Sequence, residues 1–369
     1  MSSSNQDNKP FRLLLTGGGT GGHLFPAIAT AEHLAAKMKD SQVLFIGTKR
    51  RLDRDALEGR GFPVKTIHSY GLKGKKLIEL IKAILILPVS FIEAWYQIFK
   101  FKPDVVLGVG GYVTGPVVAV ASLMGKPTVI HEQNSVPGMA NRKLGRLVDK
   151  ICISLPQSQG FFPSEKTVLT GNPVRKTILE LTETEKKGSG KPTLLILGGS
   201  QGAHAVNQLM VEAVQKRVAD FSEIMVIHQT GRDDEDMVLQ AYQEMGIDHQ
   251  VSAFFNNMAE MYFQTDVIVS RAGATTLAEI GVVGKPAILI PYPFAADGHQ
   301  EKNGSWYVES GAAVVLLQKE LTADLLTDEI LEIFRDKEKY KTMSQSMEEL
   351  GISDAAERIV NICLNMADR

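Results

Sequence analysis

A chain of 369 residues, 44% hydrophobic and 22% charged, suits two globular domains of ordinary size and excludes a disordered or fibrous protein. Its formal net charge of -2 argues against nucleic acid as a partner, since affinity for a phosphate backbone needs an excess of Lys and Arg. Cys152 and Cys363, far apart in sequence and without metal-ligand spacing, support neither a disulfide framework nor a zinc site and fit a reducing cytosol.

Met1 to Pro10 is polar, lacks the apolar core of a signal peptide and reads as a short disordered tail. Short buried strands are predicted at Phe11 to Leu15, Val43 to Ile46, Asp104 to Leu107, Thr128 to Ile130 and Lys150 to Ile153, separated by helical stretches such as Ala27 to Met38. After the polar stretch Glu180 to Lys191, read as a linker, strands recur at Thr193 to Leu197, Ile224 to His228, Asp266 to Ser270 and Pro286 to Ile290. The fold class is therefore α/β, with two doubly wound Rossmann-like domains whose strands point their carboxyl ends into a cleft where ligands bind. Ser353 to Met366, with Ser353 as N-cap, reads as an amphipathic closing helix.

Three glycine-rich loops each follow a strand and precede a helical pattern: Thr16 to His23, Gly108 to Tyr112 and Gly198 to Ala203. Such a loop exposes unpaired backbone N–H groups at the positive end of a helix, which is an anion site, and the recurrence points to phosphate. Gly17, Gly19 and Gly22 have dinucleotide-fingerprint spacing, but the second strand ends Ile46-Gly47-Thr48 without the acidic residue that holds an NAD ribose. Lys49, Arg50 and Arg51 leave an NADP phosphate as a distant alternative. His23 sits at the start of the first helix, where a neutral ring is favoured, and is read either as a general base or as a capping histidine. The glycines from Gly110 to Gly115 are read either as a ligand loop or as packing glycines.

Asp234-Glu235-Asp236 and Asp53-Arg54-Asp55 have spacing that suits a divalent metal, yet the first opens a helix and the second lies among arginines, so no metal site is expected. A departing diphosphate would then be met by helix N-termini and a cation such as Arg175. Residues 71–99 mix Lys73, Lys75, Lys76 and Lys82 with Ile84, Leu85, Leu87 and Phe91; Pro88 and the short uncharged run exclude a membrane span. That segment reads either as an interfacial helix on an anionic surface or as an ordinary core helix.

Gly18 to His23, Gly110 to Pro116, His131-Glu132-Gln133-Asn134, Gly171-Asn172-Pro173-Val174-Arg175, Gly198 to Ala203, Arg271 to Glu279 and His299-Gln300 together resemble the MurG family, from Phe11 to about Arg358. The resemblance implies a GT-B architecture: a membrane-associating acceptor domain over 11–172, a linker over 173–192, a donor domain over 193–352, and a helix over 353–369 packing back on the first domain. It implies inverting, metal-independent and cofactor-free transfer of N-acetylglucosamine from UDP-GlcNAc to the C4 hydroxyl of undecaprenyl-pyrophosphoryl-MurNAc-pentapeptide, lipid I to lipid II. His23 would be the catalytic base. Gly18, Gly19, Gly110, Gly111 and Tyr112 would serve the acceptor, and Thr20, Gly21 and Gly22 the donor's phosphate and sugar. Asn134 would contact the donor sugar, Arg175, Ser200 and Gln201 the diphosphate, and His299 or Gln300 the sugar hydroxyls. The uridine pocket would comprise Phe255 and Ala274, Thr275, Thr276, Leu277, Ala278 and Glu279, with Glu279 on the ribose. Leu77, Ile84, Leu85, Leu87 and Trp95 would touch an anionic membrane at the cytoplasmic face of the bacterial inner membrane, near other cell-wall synthesis and division proteins. Competing readings are transfer to another lipid such as diacylglycerol, and a non-catalytic UDP-sugar-binding scaffold.

Overall fold

The computed structural model describes residues 9–18, 21–48, 57–70, 77–182, 190–199 and 202–367, with the side chains of 77–84 outside that set. The readings placed on the tail before residue 9, on Gly19, Thr20, Ser200 and Gln201, and on Lys49, Arg50, Arg51, Asp53 and Asp55 lie outside the described residues. So do those on Lys73, Lys75, Lys76, residues 183–189 and the side chains of Leu77, Lys82 and Ile84. The chain divides into two compact units, the first comprising Met1–Gln133, Pro137–Pro173 and Asp354–Arg369, the second Asn134–Val136 and Val174–Ser353.

In unit 1 the described strands are β1 (Arg12–Thr16), β2 (Gln42–Gly47), β3 (Val64–Thr66), β4 (Val105–Gly108), β5 (Thr128–Glu132), β6 (Lys150–Ile153) and β7 (Thr167–Leu169), in the order β3-β2-β1-β4-β5-β6-β7. Every pairing is parallel. The uninterrupted apolar runs are what a sheet covered on both faces demands, and alternate residues sort onto its two sides. Leu13, Leu15, Val43, Phe45, Val105 and Leu107 meet one layer, containing α1 (Gly21–Lys37). Leu14, Leu44, Ile46, Val106 and Ile130 meet the other, containing α2 (Leu77–Phe101) and α3 (Thr114–Leu123). A short α4 (Met139–Leu144) follows β5.

Helix α1 starts six positions before the predicted Ala27, directly out of the first glycine loop, and continues through Pro26. The proline removes one backbone donor near the first turns, a loss offset by burying Leu24, Ala27 and Ile28.

Unit 2 repeats the plan with β8 (Thr193–Leu197), β9 (Met225–Gln229), β10 (His249–Ser252), β11 (Val267–Ser270), β12 (Ala287–Leu289) and β13 (Ala313–Val315), all parallel, in the order β10-β9-β8-β11-β12-β13. Its helices are α5 (Lys176–Thr182), α6 (His204–Lys216), α7 (Val218–Phe221), α8 (Glu235–Met245), α9 (Met258–Gln264), α10 (Ala274–Val283), α11 (His299–Glu309), α12 (Ala323–Arg335) and α13 (Lys337–Glu349). Helix α5 lies inside the stretch read as linker and belongs to unit 2, because Val174 and Ile178 are buried there. The four strands that no sequence pattern announced, β3, β7, β10 and β13, are the four sheet edges; β3, β7 and β10 are half-exposed or exposed and carry no apolar run, whereas β13 lies within the apolar run Ala312 to Leu317, which was not read as a strand.

The closing helix α14 (Ala355–Ala367) returns to unit 1, where Ile359, Val360, Cys363 and Met366 share a core with Leu24, Ile28, Ala31 and Leu34 of α1. Lys37 Nζ donates to Asn361 Oδ1 at 2.7 Å across the same contact. Asp354, not Ser353, opens this helix, its carbonyl accepting from the Arg358 N–H at 3.0 Å. Cys152 and Cys363, remote in sequence, sit in this one core as free thiols, both pushed up by burial, Cys152 to about 12.

Candidate active site

In each sheet the strand order reverses once, beside β1 and β4 in unit 1 and beside β8 and β11 in unit 2. The loops leaving such a pair diverge and open a crevice at the carboxyl ends. Sequence-distant loops thereby become neighbours. In unit 1 the Val109 N–H donates to Thr16 O at 2.9 Å, and Thr114 Oγ1 bridges Thr16 O at 3.1 Å and Gly110 O at 2.7 Å. His23, in the first turn of α1, packs its ring against this second loop. A Cβ on Gly110 would lie 2.9 Å from His23 Nδ1, and φ there is +104°, so only glycine admits the ring at this distance. The loop is thus both a packing device and a wall of the His23 site. Gly18 and Gly111 touch across the same junction, Gly22 is exposed on the first turn, and Tyr112 is half exposed at the rim.

Behind His23 lies a polar chain through Gln133 and His131, residues of the His131 to Asn134 motif to which sequence reasoning gave no role of their own. His23 Nδ1 is 2.9 Å from Gln133 Oε1, and Gln133 Nε2 reaches Val109 O at 2.9 Å and His131 Nδ1 at 3.0 Å. His131 Nε2 in turn lies 3.0 Å from Gly171 O and 3.1 Å from Ser154 Oγ. Next in sequence, the buried Glu132 accepts from Asn141 Nδ2 at 2.8 Å and the Gly138 N–H at 3.2 Å, which fixes the turn after β5. Three adjacent polar residues at the end of a fully buried strand were the available signal.

Burial lowers His131 to about 4, with the Gly171 bond opposing and His23 adding to the effect. Burial likewise lowers His228, hydrogen-bonded to Tyr242 Oη and Asn207 Oδ1 in unit 2, to about 3. The unfolded chain binds these protons below pH about 6.5 while the folded chain does not, so stability falls as pH falls through that window. Between pH 7 and pH 5 each histidine is expected to remove about 2 kcal/mol from its unit. Urea unfolding at the two pH values reads this directly, and equal stability at both would refute it.

In unit 2 β8 pairs with β11 and the Arg271 N–H donates to Leu197 O at 3.4 Å, so the strand ends that lead into Gly198 and into Gly273 lie side by side. Gly202, at φ +77°, approaches the Thr230 carbonyl so closely that a Cβ would fall 2.3 Å from it. The first backbone bond of α10 runs from the Leu277 N–H to Gly273 O at 2.9 Å. Ala274, Thr275 and Thr276 thus form the first turn of α10, at its positive end. Leu277 is fully buried, while Ala278 is partly exposed. Phe255 is buried, its N–H donating to Gln229 Oε1 at 3.1 Å.

Arg175 and Glu279, assigned by sequence to diphosphate and ribose separately, form one pair. Arg175 Nε and Nη2 donate to the two carboxylate oxygens at 2.7 and 2.9 Å, and Tyr262 Oη donates to Glu279 Oε2 at 3.1 Å. Burial works against the guanidinium charge, but the carboxylate outweighs it and holds the arginine pKa above its ordinary value. Asn303 on α11 is a further organiser. Its Oδ1 accepts from the Ser135 N–H at 2.8 Å, and its Nδ2 reaches Asn134 Oδ1 and Ala272 O, each at 3.2 Å. Gln300 Oε1 accepts from the Tyr292 N–H at 2.9 Å and His299 Nδ1 donates to Ala296 O at 2.7 Å, so both hold the loop before α11. Asp234 and Glu235 are engaged internally, with His204, Asn207 and the Ala253 N–H. Among the described residues no cluster of His, Cys, Asp or Glu could hold a metal ion.

Helix α2 is apolar on two faces. Ala94 and Ile98 are buried in the unit 1 core, while Leu85 (69%), Ile92 (67%), Phe99 (57%), Tyr96 and Trp95 are exposed along the other side, Trp95 stacked on Phe99 with centroids 5.3 Å apart. Leu87 is exposed at the same end; Ile92, Tyr96 and Phe99 extend the stripe beyond the residues read from sequence.

Two family models match the chain, the glycosyltransferase family 28 N-terminal domain over residues 13–153 and the family 28 C-terminal domain over 193–359, which defines a glycosyltransferase built from both halves. The chain is 51% identical over 359 residues to the "UDP-N-acetylglucosamine--N-acetylmuramyl-(pentapeptide) pyrophosphoryl-undecaprenol N-acetylglucosamine transferase" of Desulfotalea psychrophila, covering 97% of each. It is 41% identical over 353 residues to the protein of that name from Geobacter sulfurreducens, covering 95% of this chain and 97% of the relative. The structure is similar to that of Acinetobacter baumannii MurG, with a TM-score of 0.77 at 27% identity, covering 96% of this chain and 100% of that one. The chain belongs to the MurG family.

Proposed function

We propose that His23 Nε2 accepts the hydroxyl proton of the lipid-linked muramyl acceptor while unit 2 holds UDP-GlcNAc. As a MurG-family N-acetylglucosaminyltransferase, the chain converts lipid I to lipid II in peptidoglycan synthesis. The observation that carries it is the His23 ring, held by Gln133 and Gly110 where the loops of β1 and β4 diverge. As the proton moves to Nε2, the C4 oxygen attacks the anomeric carbon of the donor, the bond to UDP breaks, and the electron pair leaves with the β-phosphate. A single displacement of this kind inverts the anomeric configuration. The developing phosphate charge is met by the positive ends of α6 and α10 and by Arg175, in place of a metal ion.

The test is transfer of labelled N-acetylglucosamine from UDP-GlcNAc to a lipid I analogue in detergent with EDTA present and diacylglycerol as a parallel acceptor. Inverted product on the muramyl acceptor alone is expected. Labelled diacylglycerol, or loss of transfer in EDTA, would contradict the reading.

The exposed face of α2 supports peripheral attachment of unit 1 to an anionic bilayer, since no helix of the described residues is long and apolar enough to cross one. The triple change Leu85→Glu, Ile92→Glu and Phe99→Glu is expected to abolish co-sedimentation with phosphatidylglycerol vesicles and leave the thermal midpoint within a few degrees. Undiminished co-sedimentation would remove this face from the account.

A further inference from the structure

We propose that Gln133 is a positioning residue that fixes the tautomer of His23, keeping the proton on Nδ1 and the lone pair on Nε2. The inference rests on the reading of His23 as the base and adds what makes it one. Its warrant is a hydrogen-bond chain whose two ends are backbone carbonyls, groups that only accept.

The Gln133 side chain is buried, and its amide meets His23 Nδ1, Val109 O and His131 Nδ1, with His131 O farther off at 3.4 Å. Val109 O lies 2.9 Å from one amide atom, and a carbonyl oxygen at that distance requires the NH2 group to face it. The flipped amide would set two carbonyl oxygens against each other in a buried site, so chemistry decides the orientation. Oε1 then faces His23 Nδ1 at 2.9 Å, and because Oε1 has no proton to give, Nδ1 must carry the hydrogen. In a neutral imidazole this leaves Nε2 bare.

The same reasoning closes the other end. Gly171 O, 3.0 Å from His131 Nε2, requires an N–H there, so His131 Nδ1 is the acceptor for the second amide hydrogen of Gln133 at 3.0 Å. Ser154 Oγ, 3.1 Å from the same Nε2, shares that donor. Burial keeps His131 neutral down to about pH 4, so its Nδ1 remains an acceptor wherever the enzyme works. Gln133 therefore hands the polarity set by Gly171 and Val109 to His23. Each bond in the chain has one sense only, and all of its groups belong to unit 1.

The test is two-bond 1H–15N correlation on the full chain labelled at histidine, at pH 8, with His23 assigned by its disappearance in His23→Gln. The wild type is expected to show a protonated Nδ1 and an unprotonated Nε2. In Gln133→Leu, similar in volume but without donor or acceptor, the His23 signals are expected to move toward the other tautomer, and kcat to fall roughly 10- to 100-fold with the KM for UDP-GlcNAc unchanged. A wild-type His23 protonated on Nε2 overturns the proposal whether or not any variant folds. So does a folded Gln133→Leu protein that keeps the wild-type tautomer or the wild-type kcat. If His23→Gln itself keeps full kcat, the base reading falls and takes the catalytic half of the proposal with it, while the wild-type spectrum still decides the tautomer.

Discussion

Breaking the Arg175–Glu279 pair from either side is expected to cost unit 2 about 3–5 kcal/mol of unfolding free energy and to abolish tight UDP binding. The magnitude follows from burial. Glu279 is nearly inaccessible, with its side chain 6% exposed, and it receives two bonds from Arg175 and one from Tyr262. Glu279→Leu takes a carboxylate away from both the arginine and the Tyr262 hydroxyl, and Arg175→Met leaves a carboxylate facing an apolar neighbour. The double variant removes both charges at once, so it should regain a substantial part of the lost stability without regaining UDP affinity. That separation distinguishes a pair that only pins α5 to α10 from one that also presents Arg175 to the donor's phosphates. Calorimetry and titration with UDP on the two single variants and the double variant provide the check; single losses under 1 kcal/mol, or UDP affinity restored in the double variant, would refute it.

His23→Ala is expected to lower kcat roughly 10²- to 10⁴-fold, the usual contribution of a positioned general base, while UDP-GlcNAc binding is unchanged. The expected split follows from the fold. His23 stands on α1 in unit 1, whereas Arg175, Glu279 and the start of α10 all stand in unit 2. The imidazole lies against Gly110 and makes its hydrogen bond to Gln133 through Nδ1, so truncation removes little packing from the core. A thermal midpoint near that of the wild type should therefore accompany the loss. Retention of more than a tenth of wild-type kcat would place the base elsewhere.

The inner strands and the three glycine loops were legible because buried parallel strands need unbroken apolar runs and the turns after them need glycine. Thr193–Leu197 and Lys150–Ile153 coincide with the strands read from sequence. The edge strands of unit 1 were not legible: Val64–Thr66 is exposed throughout and Thr167–Leu169 nearly so, which leaves no apolar run to read. His23 was visible as an oddity at a helix start, but the residues that orient it, Gly110 and Gln133, lie 87 and 110 positions away along the chain, and hydrogen bonds between remote polar residues leave no periodic trace. Resemblance supplied Arg175 and Glu279 as two ligand contacts. Their union became evident only when α5, read as linker, packed beside α10. Asn303 was missed for the same reason, being an ordinary polar residue in a helix until Ser135 and Ala272 converge on it.

The most direct measurement of the central claim is the pH dependence of kcat/KM for the lipid I analogue, taken on the wild type and on His23→Ala over the range in which both remain folded. A base at His23 Nε2 predicts that the wild-type rate falls on the acid side as the ring is protonated, and that this limb is absent from the slower variant. An acid limb that survives in His23→Ala would show that another group takes the proton.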